Sequence, residues 1–461
     1  MKKIVLFLFS VLFLLTSCSK KDASSALPKQ VDALAVLNLA QIYQKADLDP
    51  AFLAQLGDDW RAVLENPAET GINWESPVYL YMTDNTQGIV ASVSSVGKLS
   101  QCLMQYGFKV TEADNYTLAS NGNYLLGFND NVLVGNNIYG DEKLFRQSIR
   151  KQLEQDEDRS FSSTDDYAQL MSKQTDVACF FPAGLVMSLL KENLPMVPEM
   201  SFEDMNCLLS MQFDKGMLTS GMQLLARSEE ANEALELLKA SLTPVQGTFV
   251  NSIPEGSSLF FTVGTNGPQL LKLIQQNRGI GMLLTLISQA VPVDELLQAQ
   301  QGDVAVSMSG TRNDSVLLFA QMNDTELLKS SQVWTDGGRE YGIRSLGNQQ
   351  FSANLDGVPM FFGAKENQLY VTNAMNLVQD VKPDAAIQAL KSQITGSYGY
   401  IRLDLKQMMQ SAQLPSAYRQ YLSWMDQLTV RAVSPDQYEL QLASTNTNDN
   451  ILKTILQCIR P

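Results

Sequence analysis

The sequence predicts an α+β fold of two tandem homologous modules, each made of antiparallel sheets covered by helices. Three observations predict it. The 461-residue chain is 45% hydrophobic and 18% charged, which supplies more than one core and is unlike a disordered polymer. A strand running into a helix, then two antiparallel strands and a second helix, recurs four times along the chain. The second half also echoes the first at an offset of roughly 220 residues, far longer than a solenoid period.

The elements follow in chain order. Lys2 and Lys3 precede an uncharged apolar run from Ile4 to Leu15. That run is too short to span a bilayer but suits the core of a secretory signal, predicted over 1–17. Leu15-Thr16-Ser17-Cys18 closes it and resembles the lipobox of bacterial lipoproteins. The resemblance implies that Cys18 becomes the acylated first residue of the mature chain, held in the membrane by its N-terminal lipid. Two or three acyl chains anchor stably where one is marginal. Residues 18–29 then read as the lipidated cysteine and a polar tether, with Ser19, Lys20 and Lys21 after the cysteine. Ser19 stands where inner-membrane retention favours Asp, so the expected address is the outer membrane, with periplasmic and surface faces both open.

The first module is expected over 30–245. Ala33 to Ala46 reads as strand into helix. Ser76–Met82 and Ile89–Val93 flank a turn, and a helix over 96–106 follows with Ser95 as its cap. Tyr124–Phe128 and Val132–Asn136 flank Asn129-Asp130-Asn131, which is hairpin chemistry. Asp166–Leu170 reads as a helix, Asp176–Phe181 as a strand, and 205–213 with 217–226 as a hairpin closed by a helix over 230–241. The second module, 246–461, repeats this: 302–308 with 315–321, 359–363 with 368–373, a helix over 385–390, a strand over 397–403, a hairpin over 425–433 and 438–443, and a closing helix over 450–459. Each half reads as two β-α-β-β-α units in ferredoxin-like order, with a hairpin insert near 108–137 and 340–373. The boundary is placed in the Gly- and Pro-containing stretch from Pro244 to Pro254.

The lipobox, the tandem halves, and phrases such as Asp214-Lys-Gly-Met-Leu218 and Leu369-Tyr-Val-Thr-Asn373 resemble a Bacteroidales lipoprotein family of unknown function. The resemblance implies an envelope lipoprotein and transfers no catalytic or binding residue.

Composition removes several kinds of chemistry. The chain has no histidine, so Ser-His-Asp and Cys-His catalysis and His-ligated metals are absent. A net charge of -15 disfavours nucleic acid as a partner. Ser188-Leu-Leu-Lys191 matches S-x-x-K, but its companion motifs are missing. No Gly-rich phosphate loop, metal motif or cofactor motif is present, and none is expected to bind. Asp58-Asp59, Asp165-Asp166 and Glu229-Glu230 are adjacent acids that suit helix starts better than the paired carboxyls of a glycosidase.

Cys102, Cys179, Cys207 and Cys458 make no CxxC and read mainly as buried thiols, with Cys179 and Cys207 the candidate pair if a disulfide forms. Asp314-Ser315-Val316 resembles a Bacteroidetes O-glycosylation acceptor at Ser315. Trp60, Trp74, Trp334 and Trp424 are the candidate aromatics for a glycan or peptide platform, against the ordinary role of core packing. The expected role is a non-enzymatic, lipid-anchored envelope protein that binds or scaffolds a protein, peptide or glycan partner. A carboxylate-dependent hydrolase of glycan or peptide is the alternative.

Overall fold

The computed structural model describes residues 22–55, 58–84, 86–138, 140–185, 204–276, 293–309, 315–324, 342–355, 357–379, 381–409 and 422–458. The fold is α+β, and every strand pairing among these residues is antiparallel. The chain divides into two compact units, Met1–Phe181 and Pro182–Pro461.

The first unit holds β1 (Ala33–Leu37), β2 (Val78–Thr83), β3 (Thr86–Ser92), β4 (Lys109–Ala113), β5 (Tyr116–Ser120), β6 (Tyr124–Phe128), β7 (Val132–Asn137) and β8 (Val177–Pro182). They pair in the order β8–β1–β2–β3–β7–β6–β5–β4. Its longer helices are α1 (Leu39–Ala46), α2 (Asp58–Glu65), α3 (Val96–Gln105), α4 (Glu142–Glu154) and α5 (Asp165–Met171).

Side chains alternate across a strand, so the register sorts them into two faces. Val36, Tyr79, Val90 and Val134 lie in one cross-strand row, and Leu34, Tyr81, Gly88 and Asn136 in the next. This face is buried. The helix α4 packs on it so closely that a Cβ on Gly127 would lie 2.3 Å from the Ile149 side chain. On the opposite face, α3 sends Leu99 and Leu103 onto Val78, Ala91, Leu133 and Phe128.

The segment after Asp22 is not a free tether, as its polar composition suggested. Ala23–Ala26 forms one buried 3-10 turn, and Leu27 is fully buried. Gln155 Nε2 donates to the carbonyls of Ser25 (2.7 Å) and Leu27 (2.6 Å), and Ser160 Oγ donates to that of Ser24 (2.7 Å). Small side chains let this backbone pack closely, and satisfied carbonyls make its burial tolerable.

The second unit holds β9 (Met205–Asp214), β10 (Met217–Ala226), β11 (Leu242–Thr243), β12 (Ser257–Asn266), β13 (Gln300–Ser309), β14 (Ser315–Met322), β15 (Arg344–Gly347), β16 (Gln350–Leu355), β17 (Val358–Lys365), β18 (Gln368–Thr372), β19 (Gly399–Asp404), β20 (Met425–Ser434) and β21 (Gln437–Ser444). Its longer helices are α6 (Glu229–Ser241), α7 (Gly267–Gln276) and α8 (Ile451–Cys458). The order is β15–β16–β17–β18–β14–β13–β12–β19–β20–β21–β10–β9, with β11 beside the end of β12. The stretch from β15 to β19 follows the same pairing order as β4 to β8 in the first unit.

Three expectations change. The β-α-β-β-α succession is present, but β1 pairs directly with β2 and β12 with β13. Ferredoxin-like order would instead place a later strand between the two that the helix connects. An antiparallel neighbour begins where the previous strand ends, so the helical connection has nothing to cross. The compact-unit boundary falls at Phe181/Pro182 rather than near 245/246, because β10 completes the sheet of the second unit by pairing with β21. The stretch expected as a linker is core. Val245, Phe249, Val250 and Ile253 are buried against Phe260, Phe319 and Tyr400. Asp303, fully buried, accepts the backbone N–H of Gln246 and of Thr248 at 2.8 Å each.

Candidate functional site: an open apolar trough on the first unit

The strands β8, β1 and β2 carry apolar residues on both faces, and among the described residues no helix covers Leu80 and Met82 on the face opposite Tyr79 and Tyr81. In β1, Leu34 and Val36 point into the core, while Ala33 and Ala35 point the other way. Ala35 stands opposite Leu80 of β2 and Cys179 of β8, and Ala33 opposite Met82. Alanines therefore make a low floor between two higher walls. One wall is Leu80 and Met82; the other is Cys179 and Phe181. The result is a concavity of about 430 Å³ whose lining also includes Gln87 and Gly88. Leu80 is 41% and Met82 47% exposed, unusual for the middle of a strand beside a core.

The trough holds no carboxylate in its lining. Burial pushes the Cys179 thiol above its ordinary range, so it is a neutral wall group rather than a nucleophile. Beneath the trough, Tyr81 donates its hydroxyl to Asn136 Oδ1 (2.5 Å) and to Gln152 Oε1 (3.2 Å). Desolvation raises its pKa to about 12, against the lowering effect of those hydrogen bonds. Tyr81 therefore stays neutral and rigid under the floor. The strongest chemistry of the trough is exclusion of water from apolar surface.

A second concavity of about 530 Å³ is polar, lined by Asp22, Asn73, Ser76, Pro77, Ser92 and Asn131 with their neighbours. Its groups are largely bonded within the fold: Asn73 Nδ2 donates to Ser76 Oγ (2.8 Å), and Asp22 caps the 3-10 turn by accepting from Ser24 N (3.0 Å). Among the described residues, no cluster of Cys, Asp and Glu is arranged to hold a metal ion. Asp32 is the acid whose pKa is raised, by desolvation and then by Asp84, and it is exposed rather than set in a cleft.

The residues singled out by sequence scatter. Trp74 donates Nε1 to Thr70 Oγ1 (3.2 Å) and packs edge-on to Tyr43 at 6.0 Å. Trp424 is buried in the second unit. Both pack the fold and form no exposed platform. Trp60 lies on α2 with its side chain outside the described residues; Trp334 lies outside them, as do Cys18, Asp314 and the Ser188–Lys191 motif. Ser315 begins β14, half-buried, opposite Ser309. Cys179 and Cys207 are both free thiols. Each is packed within its own ladder, Cys179 opposite Ala35 and Cys207 opposite Leu224. The adjacent acids start helices, Asp165 and Asp166 on α5 and Glu229 and Glu230 on α6.

Residue-type motifs missed the trough because it contains none. The signal that marks it is apolar character at every position of Ala33–Leu37 and across Val78–Met82, which calls for cover on both faces.

A family model described as a domain of unknown function (DUF4836) matches residues 25–418. No curated protein matches the chain. Among solved structures, crystal form III of TP0453 is similar at 9% identity, covering 45% of this chain and 81% of that one with a TM-score of 0.33. Crystal form IV of TP0453 gives 9% identity, 44% and 80% coverage, and a TM-score of 0.32.

Proposed function

Because the chain belongs to the family described as domain of unknown function (DUF4836), a description that assigns no chemistry, we propose a function from the site itself. The protein is a lipid-anchored envelope protein that holds an apolar guest in the trough of its first unit and catalyses no reaction. The observation that carries this reading is the half-exposed pair Leu80 and Met82 above the alanine floor. Covering each side chain completely would contribute roughly 1 kcal/mol, about half the value of full burial. Anchoring rests on the lipobox at Cys18, and the outer membrane of a Bacteroidales-type cell is the address that fits Ser19. The repeated strand order supports descent of the two halves from one duplicated module.

The test is to extract the protein gently from producing cells and identify bound small molecules by mass spectrometry. The wild type should carry an apolar compound in near-stoichiometric amount. Leu80→Asp with Met82→Asp should lose it several-fold while the protein still unfolds cooperatively at a melting temperature lowered by a few degrees, since each side chain is about half exposed already. Equal loading of the two proteins would overturn the trough as the site. Empty protein in both would overturn guest binding.

A further inference from the structure

We propose that the rim of the polar concavity around Asp22 is the surface of the first unit that lies against the bilayer headgroups. The proposal rests on acylation of Cys18 and adds to it a defined orientation. Asp22 is held in the fold through its cap on Ser24 and the buried turn that follows. Three residues lie between it and Cys18, and the four steps from one Cα to the other reach at most about 14 Å when fully extended. A flexible tether running to residue 29, as the composition suggested, would have let the body turn freely. A fixed point at Asp22, so near Cys18 in the sequence, restricts that turning.

Asp22 lines the polar concavity together with Asn73, Ser76, Ser92 and Asn131. The Asp22 backbone at that rim therefore lies within about 14 Å of the Cys18 backbone. Its hydroxyls and carboxamides, beside the Asp22 carboxylate and the apolar Pro77 and Val93, make a mixed surface that headgroups can hydrogen-bond. Lys20 and Lys21 in the tether add the cationic charge that an anionic surface attracts, in a chain of net charge -15. The lipid therefore fixes which face of the first unit meets the membrane.

The experiment uses the full-length acylated protein in vesicles of phosphatidylethanolamine and phosphatidylglycerol carrying a trace of headgroup-linked nitroxide. A fluorescent amino acid replaces Ser94 or, in a second protein, Asp130; both are exposed beside the rim. A matched pair carries ten added Gly and Ser residues between Lys21 and Asp22. Fluorescence at both positions should be quenched with the native tether and recover several-fold with the long one. Equal quenching for both tether lengths, with the protein still on the vesicles, would overturn the proposal. Cys18→Ala separates this from the anchor itself. If that variant stays vesicle-bound, the lipid-anchor reading fails instead.

Discussion

At the scale of single residues, the buried ionisable groups are held neutral or paired. Burial pushes the Cys207 thiol from 9.0 to about 11 and the Tyr81 hydroxyl from 10.0 to about 12. An acid whose folded pKa is raised binds its proton more tightly in the native state. Its contribution is therefore complete below the unfolded pKa and is lost as pH rises through the folded one. The urea midpoint of the second unit, which holds Cys207, should fall as pH rises from about 9 to about 11, and that of the first unit, which holds Tyr81, from about 10 to about 12. Cys207→Ala should make the fall of the second unit shallower, while the tyrosine part remains. A midpoint that stays flat over this window would contradict the burial of these groups. None of these shifts is visible in the sequence, because a cysteine in an apolar stretch reads the same whether its sulfur is sealed or open.

At the scale of elements, local chemistry was legible. Ser95 caps α3 by accepting from Lys98 N (3.3 Å), and Ser228 caps α6 by accepting from Ala231 N (3.1 Å). The Asn129 side chain closes the β6–β7 turn by accepting from the backbone of Asn131 and Val132. These interactions span two or three residues, so spacing alone reveals them. The seating of α3 on Gly71 was not legible. Gly71 has φ +77°, and a Cβ there would stand 2.3 Å from Leu99 N and 2.6 Å from Ser95 O. Both clashes are with backbone, so no rotamer relieves them. Gly71→Ala should lower stability by more than about 2 kcal/mol, combining the left-handed penalty with overpacking. Denaturant titration measures it, and a loss below 0.5 kcal/mol would show that α3 can shift.

At the scale of the whole molecule, two compact units predict unfolding in two transitions. Lys45 Nζ bonds both carboxylate oxygens of Asp176, at 2.9 and 2.8 Å, and that carboxylate is fully buried within the first unit. Lys45→Ala removes this counter-charge, and should move one transition by about 3 kcal/mol and leave the other in place. Arg146→Ala, which breaks a half-exposed pair with Glu142, should cost at most about 0.5 kcal/mol. A shift of both transitions by Lys45→Ala would mean that the units unfold as one. By itself, the sequence determined the α+β class, the strand and helix succession, the capped helix starts and the absence of histidine chemistry. Each depends on periodicity or on neighbours a few residues apart. Tertiary structure alone decided the antiparallel meander order, the unit boundary at Phe181, the burial of the segment after Asp22 and the uncovered face over Ala33 and Ala35. Those features depend on which distant strand becomes a neighbour and on where the described helices pack, and neither leaves a local pattern.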